Sequence, residues 1–177
     1  MQQRTIIVTG AGQSGKSTFL HGVGSYPLTQ FRPPLPDYHP RNQITVPITE
    51  DNELMLVEIP GPMRLEPILP YLPPVVGHLI IVNSARPETF RETISIFRAY
   101  SVHGAVPIII TANHRDLPDA WAIADMRTAF QIPETIPIMP CVAIDFLCVK
   151  EVLLTLLKQV LTSEEYQVAC TALGVVI

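Results

Sequence analysis

Short runs of nearly unbroken apolar residues recur along the chain at Ile6–Thr9, Leu54–Ile59, Leu79–Asn83, Val106–Thr111 and Ile136–Val142. Runs of this length, bounded by Gly, Pro or Asn, suit strands of a parallel sheet covered on both faces. Between them the spacing becomes helical. Over 87–102 the apolar positions are Phe90, Ile94, Phe97 and Tyr100; a second helix is expected over Asp119–Phe130, with Pro118 suiting its start. Phe146–Leu161 is strongly amphipathic, and Ser163–Leu173 opens like a last short helix, with Ser163 as N-cap and acids in its first turn. Strands alternating with helices predict an α/β fold in three layers, with helices on both faces of a mostly parallel sheet. The stretch from Asn42 to Gly61 reads differently, as two strand-like runs joined by the polar turn Thr49–Glu53, which predicts a hairpin. The expectation is six strands, one of them an antiparallel edge strand, in a single domain over 1–177.

The first strand runs directly into Gly10-Ala11-Gly12-Gln13-Ser14-Gly15-Lys16-Ser17, which fits the phosphate-binding pattern G-x-x-x-x-G-K-[ST]. The following residues read as a helix start. Glycines let successive backbone N–H groups turn inward around an anion, and a helix N-terminus adds unpaired donors and a positive dipole end. In such a loop Lys16 reaches the β- and γ-phosphates, and the Ser17 hydroxyl is placed for a magnesium ion.

Composition narrows the picture. The chain is 47% hydrophobic and 16% charged, yet no apolar run approaches the roughly 18 residues a membrane helix needs. The opening residues have no signal-peptide layout and the C-terminus no prenylation box, so a cytoplasmic protein without a membrane anchor is expected. A net charge of −4 argues against nucleic acid as the main partner. Cys141, Cys148 and Cys170 lack metal-ligand spacing and read as reduced thiols. Proline is abundant, at 18 residues, and clusters in 27–40 and 60–74. The first cluster reads as extended, polyproline-like backbone, and the second excludes a long helix.

Three further motifs, in order, make the chain resemble a Ras-like small GTPase of the P-loop class. It is most similar to bacterial small GTPases related to the gliding-motility polarity switch, and the resemblance covers nearly the whole chain. It implies GTP and GDP as ligands, Mg2+ as cofactor, and nucleotide contacts from Gly10, Gln13, Ser14, Gly15, Lys16, Ser17 and Thr18. Glu58-Ile59-Pro60-Gly61 stands where the family has Asp-x-x-Gly, so Glu58 would support the metal beside Ser17 and Gly61 would sense the γ-phosphate. Asn113-His114-Arg115-Asp116 resembles the guanine-reading Asn-Lys-x-Asp. There Asp116 would accept from the guanine N1–H and N2 amine, Asn113 would brace the loop, and His114 would stack on the base. Cys141-Val142-Ala143 stands in the place of Ser-Ala-Lys, with the Ala143 N–H toward the guanine O6.

The departures are as informative. Pro62 occupies the position of the water-orienting Gln and can do no such work. Arg41 and Arg64 are each either an internal arginine finger beside Lys16 or an ordinary solvated cation. No Thr or Ser lies between Gln30 and Ile44 to serve as the metal-binding switch residue; Thr29 and Thr45 are the nearest. The resemblance therefore implies a nucleotide switch with slow GTP hydrolysis, accelerated by a partner such as a roadblock-type dimer. The competing reading is a pseudo-GTPase scaffold that acts through its apolar, proline-rich faces. A P-loop kinase is a third, disfavoured by Asn113 and Asp116 following a strand.

Overall fold

The computed structural model describes residues 2–24, 26–35, 41–61, 66–102 and 106–162. These form seven strands: β1 (Gln2–Thr9), β2 (Thr29–Phe31), β3 (Arg41–Pro47), β4 (Asn52–Glu58), β5 (Val75–Asn83), β6 (Ile108–Asn113) and β7 (Ile138–Pro140). Four α-helices accompany them: α1 (Lys16–Gly22), α2 (Phe90–Val102), α3 (Ile123–Phe130) and α4 (Phe146–Thr162). The strands make one mixed sheet in the order β2-β3-β4-β1-β5-β6-β7. β1 pairs in parallel with both β4 and β5, while β3 is antiparallel to β4 and β2 antiparallel to β3.

Alternation along the strands sorts the core into two layers. Ile6, Val8, Leu56, Leu79, Ile81 and Ile109 pack with Phe19 and Leu20 of α1 and Val149, Val152 and Leu156 of α4. Ile7, Val57, Ile80, Val82 and Ile110 face the other way, onto Phe90, Ile96 and Phe97 of α2 and Met126 and Phe130 of α3. With both faces covered, Ile6, Ile7 and Val8 are fully buried, which is why the central strands read as continuous apolar runs.

Three expectations are corrected. The sheet has seven strands, not six, and two antiparallel junctions rather than one. The extra strand, β2, is a three-residue edge strand between Pro27 and Pro33; Thr29 and Phe31 favour extended backbone, and Phe31 is buried. Helix α3 starts at Ile123 rather than at Asp119, because Leu117 to Ala122 is a turn segment whose Trp121 N–H donates to Ser84 O at 2.8 Å. The hairpin of β3 and β4 is as expected, with Ile44 opposite Leu56. In 66–74 the only helical element among the described residues is one 3-10 turn, Leu69–Tyr71, as the prolines require. No helix of the described residues is long and apolar enough to cross a membrane. The helix expected over Ser163–Leu173, together with Pro62, Arg64 and Cys170, lies outside the described residues.

Candidate functional site

The carboxyl ends of the parallel strands β1, β4, β5 and β6 lie along one edge of the sheet, and sequentially distant polar residues meet there. The chain leaves β1 between strands placed on opposite sides of it, the point at which open α/β sheets form a crevice. The turn from Gly10 to Ser17 fills this position. Gly10 has φ 151°, Gln13 φ 58° and Gly15 φ 97°, so three residues adopt the positive-φ backbone that lets the loop curl. At Gly15 a side chain is excluded: a Cβ there would lie 2.2 Å from Asn113 Nδ2.

Lys16 is the first residue of α1 and is 9% exposed. Its Nζ turns back into the loop and donates to Gly10 O at 3.0 Å and Ala11 O at 2.9 Å. Burial holds its ammonium below the ordinary lysine range. Glu58 and Glu92 pull it the other way, and Arg41 adds to the lowering. Arg41, Glu58 and Glu92 thus all act electrostatically on the Lys16 ammonium inside the loop.

Ser17 Oγ donates to Glu58 Oε2 at 2.9 Å, and Asn42 Nδ2 donates to the same oxygen at 2.9 Å. Gln30 Nε2 in turn donates to Asn42 Oδ1 at 3.0 Å. A hydroxyl and a carboxylate thus converge on one point, a pair of hard oxygen donors of the kind that magnesium accepts alongside waters and phosphate oxygens. The residues fit that ion. Among the described residues no cluster of three or more His, Cys, Asp or Glu side chains is placed to hold a metal. Neither Thr29, in β2, nor Thr45, inside β3, is the residue that meets Glu58; from that part of the chain it is Asn42. Arg41 begins β3, and its Nε is buried with no hydrogen-bond partner among the described residues.

Asn113, 2% exposed, ends β6 and ties two loops together. Its Nδ2 donates to Ser14 O at 2.9 Å, and its Oδ1 accepts the Ala143 N–H at 2.9 Å. The Ala143 N–H, expected to face a guanine O6, is thus engaged by Asn113. His114 takes a left-handed backbone (φ 62°), and its Nε2 lies 3.8 Å from where a Gly15 Cβ would stand. Asp116 follows as an exposed residue in a turn. Cys141 is buried beneath this loop and donates its N–H to Ala112 O at 2.8 Å, while Val142 is half-buried and Thr18 exposed. Gly61 is buried against Glu92 of α2.

Several participants are absent from the sequence reading. Asn83 Nδ2 donates to Gln13 O at 3.3 Å, and Arg86 bonds Gln13 Oε1, so the crown of the loop is held from the end of β5. Asn83 had a visible signal, as the polar residue that closes an apolar run. Asn42 and Glu92 had none, since nothing near them in sequence marks a site.

Burial pushes the Cys141 thiol up to about 12, with Cys148 and Asp145 adding to the rise. Because the thiolate is the reactive form, native iodoacetamide treatment at pH 8 is expected to label half-buried Cys148 well before Cys141, as read by peptide mass mapping. Equal labelling would mean that the loop after β7 opens freely.

No protein-family model matches the chain, and no curated protein matches it either.

Proposed function

We propose that the chain is a guanine-nucleotide-binding switch that hydrolyses GTP slowly. The observation that carries this reading is the Asn113 bridge. One buried amide joins the backbone of a glycine-rich anion loop to the loop at Ala143, and the exposed Asp116 carboxylate lies three residues beyond it. Phosphate-holding and base-reading elements are thereby made one unit. The sheet order supports the same reading. With the short β2 set aside, the sheet has six strands, parallel but for β3, the antiparallel edge strand that the resemblance to small GTPases implies.

In this reading the amides of the Gly10–Ser17 turn and Lys16 Nζ, released from Gly10 O and Ala11 O, hold the β- and γ-phosphates and stabilise charge that moves onto the bridging oxygen. Arg41, whose Nε has no partner among the described residues, adds a second cation. Ser17 and Glu58 would hold magnesium, which when bound neutralises phosphate charge. Asp116 selects guanine, because adenine offers no N1–H and N2 amine pair to a carboxylate. His114 packs between the base side and Gly15. The protein would act in the cytoplasm, with a regulatory protein, by analogy a roadblock-type dimer, as accelerator.

The test is equilibrium binding of fluorescent GTP, GDP and ATP analogues with and without magnesium. Binding of the guanine forms only, tighter with magnesium, is expected. Asp116→Asn should weaken GTP binding by about 10-fold or more, since a charge-assisted pair of hydrogen bonds is worth roughly 1.5–3 kcal/mol, and should admit xanthosine nucleotides. Unchanged GTP affinity in that variant would remove Asp116 from the base site. Absence of any nucleotide binding would leave the interaction scaffold.

A further inference from the structure

We infer that Glu92 is the residue that holds and deprotonates the attacking water, a task that proline, at position 62 of the sequence, has no side chain to perform. The inference rests on the GTP-hydrolysing reading of the site. Glu92 stands in the first turn of α2, whose start is fixed by the 3-10 turn Pro87–Thr89 and by burial of Phe90, Thr93 and Ile96. From there its side chain reaches across to the end of β4. A Cβ on Gly61 would meet Glu92 Oε1 at 2.4 Å and its Cδ at 3.5 Å, so the carboxylate lies against the Gly61 Cα. Its charge also acts on the Lys16 ammonium, opposing the lowering by burial.

Elimination supports the choice. The two carboxylates that act on Lys16 are Glu58 and Glu92. Glu58 Oε2 already accepts from Ser17 Oγ and Asn42 Nδ2. No described residue holds Glu92 in a hydrogen bond or ion pair, and its Oε1 stands beside Gly61, where the γ-phosphate would lie. Lys16 and Arg41 offset the repulsion between this carboxylate and the nucleotide.

In the step, the water oxygen bonds to the γ-phosphorus as the bond to the β–γ bridging oxygen breaks. That electron pair leaves on GDP, the water proton passes to Glu92 Oε1, and the proton is then released to solvent with inorganic phosphate.

The experiment is single-turnover phosphate release from the full chain loaded with GTP, together with GTP affinity, in wild type, Glu92→Gln and Glu92→Ala. GTP affinity is expected to stay within about threefold, while the release rate falls at least about 100-fold, the lower range for loss of a general base. Added formate is expected to restore part of the rate in Glu92→Ala only, which a purely structural role would not produce. A wild-type rate in Glu92→Gln, or a rate loss matched by lost GTP affinity, would overturn the inference while leaving nucleotide binding in place. A wild-type chain that binds GTP without releasing phosphate would overturn it too. A chain that binds no guanine nucleotide would remove the underlying reading as well.

Discussion

Lys16→Ala is expected to abolish stabilisation by GTP, while its effect on the ligand-free protein depends on pH. Ligand at a hundredfold excess over Kd adds about 2.7 kcal/mol, which for a chain of this size raises the melting temperature by roughly 5–10 °C. Wild type should show that gain by differential scanning fluorimetry, and the variant none. The second half of the expectation follows from the buried ammonium. Its folded-state pKa is lowered by burial, so the unfolded chain binds more protons between the lowered value and the ordinary 10.5. The protonated lysine therefore costs stability below the lowered pKa, and the cost disappears as pH rises through the ordinary value. At neutral pH the variant escapes this cost but leaves Gly10 O and Ala11 O without their Lys16 donor, at about 1–3 kcal/mol each, so the ligand-free variant should melt below wild type, and by more near pH 10 than at pH 7. A variant still stabilised by GTP would exclude Lys16 from the site.

Two glycines only three residues apart should differ sharply in their tolerance of a methyl group. Gly15→Ala forces a left-handed backbone on an L-residue, at about 1–2 kcal/mol. It also drives a Cβ to 2.2 Å from Asn113 Nδ2, breaking a buried bridge whose unpaired ends cost about 1–3 kcal/mol. The expected loss is roughly 2–5 kcal/mol of unfolding free energy. Gly12→Ala meets nothing within 4 Å and has no positive φ, so its stability should stay within about 0.5 kcal/mol of wild type. Urea denaturation without nucleotide measures both. Equal losses would mean that Asn113 does not brace the loop.

The fold was legible where burial on both faces forced continuous apolar runs, as in β1, β4, β5 and β6. It was illegible where an element is too short for any period, as in β2, or where a tertiary contact displaces a local signal. Pro118 suits a helix start, but the backbone bond from Trp121 to Ser84 keeps 117–122 as a turn. The same division runs through the site. The Gly10–Ser17 loop, Asn113 and Glu58 sit in recognisable local patterns. Asn42, Asn83, Arg86 and Glu92 arrive through strand order and helix placement, since β3 lies beside β4 and α2 crosses near Gly61. No spacing along the chain encodes that convergence.

The position of β1 has a mechanical consequence. It is flanked by strands on both sides and by helices above and below, which sets it among the core elements expected to open last. The Gly10–Ser17 loop thus grows from a strand buried at the centre of the sheet. Arg41 and Asn42, on the opposite wall, hang from β3, whose outer neighbour is only the three-residue β2. One wall of the cleft is thus held on every side, while the other hangs from the margin of the sheet, where local fraying is easiest.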